Sequence, residues 1–332
     1  MRDVLNNEGT EMRIRLKAML MAVAASLFAP VASAEQITVT HWGVSFYGAP
    51  FAVALDKGWF KPLNIDGFIT SSGGGTSVRN TLASPLPYGE VALPAAVEAI
   101  KSGQPLIIVN SGVGTVADIL WVAKKGSPIK SIQDLAGKKV AYTRPKSVSN
   151  MLILMALREN KIDIAKVNLI AAGGPGANFT AVMQGAVDVG MTADPIWSIE
   201  KGKLQPVFWV KDVMSPKMTQ TVGVTTTEFA RKKPEVIRGI IEVRRKGVQF
   251  IRDNPDEAAD IVARQYKISA AETRTIFRNF LGFDYWDEGA FDLKGMDSML
   301  EGLRIVGELQ GSIDWSKLID QGYLPKDLQT PK

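Results

Sequence analysis

The sequence predicts an α/β protein made of two successive blocks, each a mostly parallel sheet flanked by helices, followed by a helical C-terminal third. Three observations predict it. Short β-branched runs alternate with amphipathic stretches between residues 37 and 110. The same rhythm resumes between residues 119 and 210. After Thr225 the apolar residues fall almost entirely at helical intervals.

Taken in order, Ile37 to Trp42 is β-branched and alternating, and reads as a strand. Ala49 to Phe60 carries Phe51, Leu55 and Trp59 at four-residue spacing, and reads as a helix. A strand at Ile65 to Thr70 leads into the turn Ser71-Ser72-Gly73-Gly74-Gly75-Thr76-Ser77, then a helix from about Ser77 to Ala83. A strand at Glu90 to Leu93, a helix at Ala95 to Ser102 and a strand at Leu106 to Asn110 close the first block.

The second block opens with strands at Ile119 to Lys124 and Lys138 to Tyr142, then a helix from Ser147 to Glu159. A strand at Val167 to Ala171 precedes a glycine turn at Gly173 to Gly176 and a helix running to Gln184. Strands at Val187 to Met191 and Val207 to Val210 flank a helical start at Pro195 to Glu200. One further strand, Thr219 to Thr225, precedes the helical third. There Pro234 to Arg252 places Ile237, Ile240, Ile241, Val248 and Ile251 on one face. Asp256 to Gln265, Ala270 to Phe280 and Asp297 to Leu309 are the remaining predicted helices.

Ahead of all this, Arg13, Arg15 and Lys17 precede an uncharged, almost wholly apolar run from Ala18 to Phe28, and Ala32-Ser33-Ala34 stands before Glu35. A basic start, a short apolar core and a small-residue exit read as a cleaved secretory signal over residues 1–34. The run is too short for a membrane span, which needs about 20 residues. Met1 to Glu11 adds nothing to such a signal, so Met12 is an alternative start. A free periplasmic protein is the expectation.

Composition narrows the function. The chain has no cysteine and one histidine, His41, so it has neither disulfides nor thiolate ligands, and a His-rich zinc site is impossible. No G-x-S-x-G elbow accompanies His41, which argues against a serine hydrolase. No cofactor and no metal are expected. The first 34 residues carry four basic and three acidic groups, which takes the net charge from +5 to +4 for the remainder. These charges are scattered, and the densest run, Arg244-Arg245-Lys246, reads as a solvated helix face rather than a nucleic-acid surface.

Ligands of open α/β sheets bind beyond the carboxyl ends of the strands. The segments there give the candidate ligand contacts. After the first strand come Trp42, Gly43, Phe46 and Tyr47, aromatics suited either to a pocket wall or to a core. Gly74, Gly75, Thr76 and Ser77 form the best anion turn, since glycine lets the backbone approach closely and a helix N-terminus offers unpaired N–H donors. Ser147, Ser149 and Asn150 open a second helix and face it from the other block; Thr76 and Ser147 serve equally well as plain helix caps. Pro94, Ala95, Ser111, Gly112, Arg144, Gly174, Asp194 and Trp197 complete the set, with Asp194 read first as a helix cap and otherwise as a hinge contact or amine acceptor. The turn is not a P-loop, because no lysine follows a G-x-x-x-x-G frame.

Five stretches in order carry a family resemblance: "ALDKGWF" at 54–60, "AIKSGQPLIIV" at 99–109, "KKGSPIKSIQDLAGKKVAYTRP" at 124–145, "AVMQGAVDVGMTADPIW" at 181–197 and "KKPEVIRGIIE" at 232–242. In these the chain resembles the nitrate/sulfonate/taurine-type periplasmic binding proteins of ABC importers. The resemblance implies a two-lobed Venus-flytrap fold, with the second lobe inserted into the first and crossings near 111–120 and 211–221. The implied division is signal 1–34, lobe one 35–115, lobe two 116–213, and the mainly helical second part of lobe one 214–332. It further implies a monomer that is not an enzyme, hinge closure on a small-molecule ligand, and permease and ATPase subunits at the inner membrane as partners. Two departures bear on the ligand: no Asp follows "GEV" at 89–91, and "SFYG" at 45–48 has more aromatic bulk than an inorganic anion needs. A small organic anion follows, either a sulfonate, a taurine-like compound or an aromatic acid. The alternatives are a thiamine-pyrimidine-precursor binding protein or an enzyme on the same fold.

Overall fold

A computed structural model describes residues 35–330. The expected signal segment, and with it the question of the start, lies outside the described residues. No helix among those described is long and apolar enough to cross a membrane.

Ten strands form two five-stranded sheets. The first takes β1 (Glu35–Thr40), β2 (Ile65–Ser71), β3 (Tyr88–Ala92), β4 (Leu106–Val113) and, after the whole second sheet, β10 (Thr221–Thr226), in the order β2-β1-β3-β10-β4. The second takes β5 (Leu120–Lys124), β6 (Lys139–Tyr142), β7 (Asn168–Ala171), β8 (Val189–Thr192) and β9 (Leu204–Trp209), in the order β7-β6-β8-β5-β9. Four strands of each sheet share a direction. The fifth, β10 in one and β5 in the other, runs against both its neighbours. A parallel neighbour must be reached through a crossover connection. β5 and β10 are instead entered from the other lobe, which frees them to insert reversed. The mostly parallel expectation therefore holds for strand direction, while the reversed strand makes two pairings in each sheet antiparallel.

Helices cover the sheets as the apolar spacing dictates. In the helix Pro234–Asp253 the buried side includes Ile237, Ile240, Ile241, Arg244, Gly247, Val248 and Ile251, one stripe of spacing three and four. Each isoleucine removed from water there contributes about 1.5–3 kcal/mol. A second aromatic core, built from Phe46, Tyr266, Phe277, Phe280 and Trp286, joins the helices Pro255–Tyr266 and Ala270–Leu281 to the chain after β1.

Several boundaries differ from expectation. The predicted helix Asp297 to Leu309 is two shorter ones, Leu293–Met299 and Glu301–Ile305. The second of these packs on the helix Val148–Glu159 of the second lobe, where a Cβ on Gly302 would sit 2.7 Å from Met151 and Arg158 Nη2 donates to Glu301 at 2.7 Å. The C-terminal helices thus reach beyond lobe one. The helix predicted to Phe60 ends at Asp56, and a turn with Gly58 at φ 68° leads into a 3-10 helix at Lys61–Leu63. β1 stops at Thr40 because His41 adopts φ 53°, a left-handed conformation no strand continues through.

Candidate functional site

Carboxyl ends of strands from both lobes converge on one small cavity. Lobe one supplies Thr40, His41, Tyr47, Gly73 and Gly74, with Ala92 and Thr221 behind them. The second lobe supplies Thr143, Ser147, Val148, Ser149 and Met191. The cavity measures about 20 Å³, room for about one water. A larger occupant therefore enters only when the lobes part.

Contact between the lobes is direct. Gly74 has φ 54° and ψ −145°, a conformation open to glycine. A Cβ there would lie 2.8 Å from the Pro145 carbonyl oxygen and 3.2 Å from Arg144 Cβ. His41 is wedged in the same seam: a Cβ on Gly73 would fall 2.6 Å from its Nε2, and one on Gly174 of the second lobe 3.8 Å from its Nδ1. Burial lowers the imidazole to about 4, so it is neutral at physiological pH.

No lining side chain is charged at neutral pH. Hydroxyls and helix ends set the polarity instead. Ser147 caps the helix Val148–Glu159 by accepting from Asn150 N at 3.2 Å, and its Oγ lies 3.1 Å from Ser149 Oγ. Thr143 N donates to Ser149 Oγ at 2.9 Å. Across the seam, Ser77 Oγ donates to Thr40 Oγ1 at 3.0 Å and also bonds to Ser71 Oγ. The N-terminus of the helix Gly75–Ala83 and that of Val148–Glu159 therefore approach one cavity from opposite lobes. Their unpaired N–H groups and dipoles favour negative charge.

Behind the cavity, Tyr47 links the pocket to the crossings. Its hydroxyl donates to Gln220 Oε1 at 2.7 Å; Gln220 Nε2 donates to Asp118 Oδ1 at 2.8 Å and to the Thr115 carbonyl. Tyr285 donates to the other Asp118 oxygen at 3.2 Å, and its ring stacks on Tyr47 with centroids 6.3 Å apart. Burial pushes the Asp118 carboxyl up to about 7.

Of the predicted contacts, the structure brings Tyr47, Gly74, Ser147 and Ser149 to the cavity. Gly75, Thr76 and Ser77 form the helix start behind it. Thr76 does not cap that helix, because the N-cap is Gly74, and Arg79 Nη2 donates to its hydroxyl at 3.1 Å. Asn150 accepts from Lys146 N at 3.1 Å, Gly174 borders His41, and Arg144 is exposed at the lip.

Others lie elsewhere. Phe46 is fully buried in the aromatic core, and Trp42 packs on Phe68 and Tyr266, with ring centroids at 4.2 and 5.3 Å. Gly43 is a half-buried turn residue at φ 77°, and Pro94 and Ala95 are buried in the first turn of the helix Leu93–Lys101. Ser111 and Gly112 require a correction: β4 continues to Val113, so they sit inside a strand. There Ser111 Oγ donates to Asp287 Oδ2 at 2.6 Å, and the Gly112 carbonyl accepts from Arg244 Nη2 at 2.6 Å. Asp194 precedes Pro195, the N-cap of the helix Ile196–Glu200, and its Oδ1 accepts from Ser198 N and Oγ at 3.1 and 2.7 Å. Trp197 is not among the cavity's lining residues and meets Trp209 edge-on at 5.8 Å in the second lobe. Thr40, His41, Ala92, Thr143, Met191 and Thr221 escaped the sequence reading.

Comparison with known proteins agrees with this architecture. The family described as NMT1/THI5 like matches residues 45–258. A protein of Brucella abortus (strain 2308) named "Putative binding protein" is 24% identical over 78% of this chain and 81% of its own. The 4-amino-5-hydroxymethyl-2-methylpyrimidine phosphate synthase of Legionella pneumophila is 21% identical over 68% of this chain and 71% of its own. Among solved structures, the periplasmic aliphatic sulphonate binding protein SsuA from Escherichia coli superposes with a TM-score of 0.67 at 16% identity, covering 90% of this chain and 95% of that one. The fold is that of the periplasmic binding proteins.

Proposed function

Because the chain belongs to the NMT1/THI5-like family, we propose that it is the periplasmic solute-binding component of an ABC importer, exported by a cleaved signal and monomeric. It captures a small organic anion between its lobes and delivers it to a membrane permease. The observation that carries this reading is the pair of opposed helix N-termini, Gly75–Ala83 and Val148–Glu159, meeting with hydroxyls in one cavity without a charged lining side chain. Such a site holds an anion by N–H and O–H donors, and closure of the lobes removes it from water. Thr40, Tyr47, Gly74, Ser147 and Ser149 are the contacts this reading assigns, with His41 as a neutral hydrogen-bonding wall. Sulfonates, taurine-like compounds and aromatic acids fit this chemistry.

A thermal-shift panel tests the reading: alkanesulfonates, taurine, nitrate, aromatic carboxylates and sulfonates, and thiamine pyrimidine precursors. A ligand that binds the folded form raises the melting temperature by mass action. The expected result is a rise with one class of organic anion that Ser147→Ala diminishes. The Legionella synthase likeness supports a second reading, a protein acting on pyrimidine precursors. A shift with the pyrimidine precursors alone would favour it and overturn the organic-anion reading.

A further inference from the structure

We propose that the groove on the far side of the Tyr47–Gln220–Asp118 chain is a second ligand site, one that takes a compact primary ammonium group on an aromatic or alkyl body. The groove is a cavity of about 420 Å³, within the range of about 300–1,000 Å³ common for small-molecule sites. Asp118 comes to it from the first crossing, Asp194 and Trp209 from the second lobe, and Phe280 and Phe283 from the C-terminal helices. Its occupant would touch both lobes and the hinge.

The argument rests on two buried carboxyl groups with no cation at ion-pair distance, Lys201 acting on Asp194 only from farther off. Asp118 and Asp194 are 3% and 8% exposed. Their hydrogen-bond partners are neutral: Gln220 and Tyr285 for Asp118, Ser198 for Asp194. The two cations at the rim are taken up by exposed acids, Lys211 by Asp212 at 3.0 Å and Arg278 by Asp256 at 2.9 Å. Burial favours the protonated form of such a carboxyl, and a positive charge beside it favours the ionised one. A primary ammonium supplies that charge with three donors. Trp209, over whose ring Lys211 Nζ lies at 5.7 Å, and Phe283 line the groove beside these carboxyls and offer apolar surface for its body. A metal ion is a poorer fit, since no group of three or more metal-ligating side chains occurs among the described residues.

Calorimetric titration of the purified protein with benzylamine, against its neutral counterpart benzyl alcohol, tests the proposal. Benzylamine is expected to bind at least tenfold more tightly than the alcohol, and Asp194→Asn and Trp209→Ala are each expected to weaken it about tenfold. Because Asp194 also accepts from Ser198 in the first turn of a helix, Trp209→Ala and a melting curve for each variant separate lost binding from lost structure. Equal affinity for amine and alcohol, or wild-type affinity in both folded variants, would overturn the proposal. The anion panel reads the other cavity, so failure of either site is seen apart from the other.

Discussion

Arg244 Nε donates to Glu90 Oε2 at 2.7 Å, and the two side chains are 1% and 0% exposed. The pair ties the helix Pro234–Asp253 to β3 in the floor of lobe one. Each guanidinium nitrogen and each carboxylate oxygen is engaged: Thr221 Oγ1 donates to Glu90 Oε1 at 2.9 Å, and Arg244 also donates to the carbonyls of Gly112 and Asp287 at 2.6 and 2.5 Å. Removing one partner of such a pair leaves a buried charge uncompensated, at about 3–5 kcal/mol. Arg244→Met should therefore lose that much in chemical denaturation, and Glu90→Met/Arg244→Met should recover part of it. A double variant no more stable than Arg244→Met would rule out the uncompensated charge as the cause.

Across the mouth of the cleft, Lys146 Nζ lies 2.8 Å from Glu98 and 3.6 Å from Glu308. Lys146 belongs to the second lobe and holds φ 61°, while both glutamates belong to lobe one. The groups are about one-third exposed, so the contact contributes about 0.5 kcal/mol and weakens with salt. Small-angle scattering should show the wild type expanding between low and high salt, and Lys146→Ala expanded already and insensitive. An equal salt response in both proteins would place the closing force elsewhere.

Gly74→Ala should separate closure from folding. Its Cβ would press on the Pro145 carbonyl across the seam, so the lobes would stop short. Binding of an anion identified by thermal shift should fall at least tenfold. Gly137→Ala is the control, since φ is 76° there but nothing lies within 4 Å, and it carries only the backbone cost of about 1 kcal/mol. Matching losses of affinity in the two variants would show backbone strain rather than blocked closure.

Two buried groups give opposite pH dependence. His41 takes a proton only near pH 4 when folded but near 6.5 when unfolded, so the unfolded chain binds more protons between these values. Its contribution is present above about 6.5 and is lost as pH falls to about 4, roughly 3 kcal/mol in all. Asp118 holds its proton to about 7 when folded, against 3.8 unfolded, so stability falls by roughly 4 kcal/mol as pH rises between them. Measured against the wild type, His41→Gln should gain relative stability toward pH 4 and Asp118→Asn toward pH 7. Parallel stability–pH curves for all three proteins would contradict both assignments.

How far the fold was legible depends on where local signals decide. The helix Pro234–Asp253 was readable to within a residue because its isoleucine spacing matches the face it buries. β4 was not, because its last residues are held by β10 and by Gly289, both distant in sequence. Glycine in "GGGTS" announced a turn, yet nothing local announced that Gly74 would meet Pro145 of the other lobe. Phe46 and Trp42 share their composition with a pocket wall; only the arrival of Tyr266, Phe277 and Phe280 from the C-terminal helices makes them core. His41 was hidden for the opposite reason, a left-handed backbone angle inside what reads as a strand.

The seal around the 20 Å³ cavity has a kinetic meaning. With the glycine turn of one lobe against Pro145 of the other, the seam narrows the way out of the cavity. On the proposed function, the residence time of an occupant is tied to the parting of the lobes, a microsecond-to-millisecond event for hinged domains. Tighter contacts inside the pocket would lengthen that dwell, and a looser seam would shorten it.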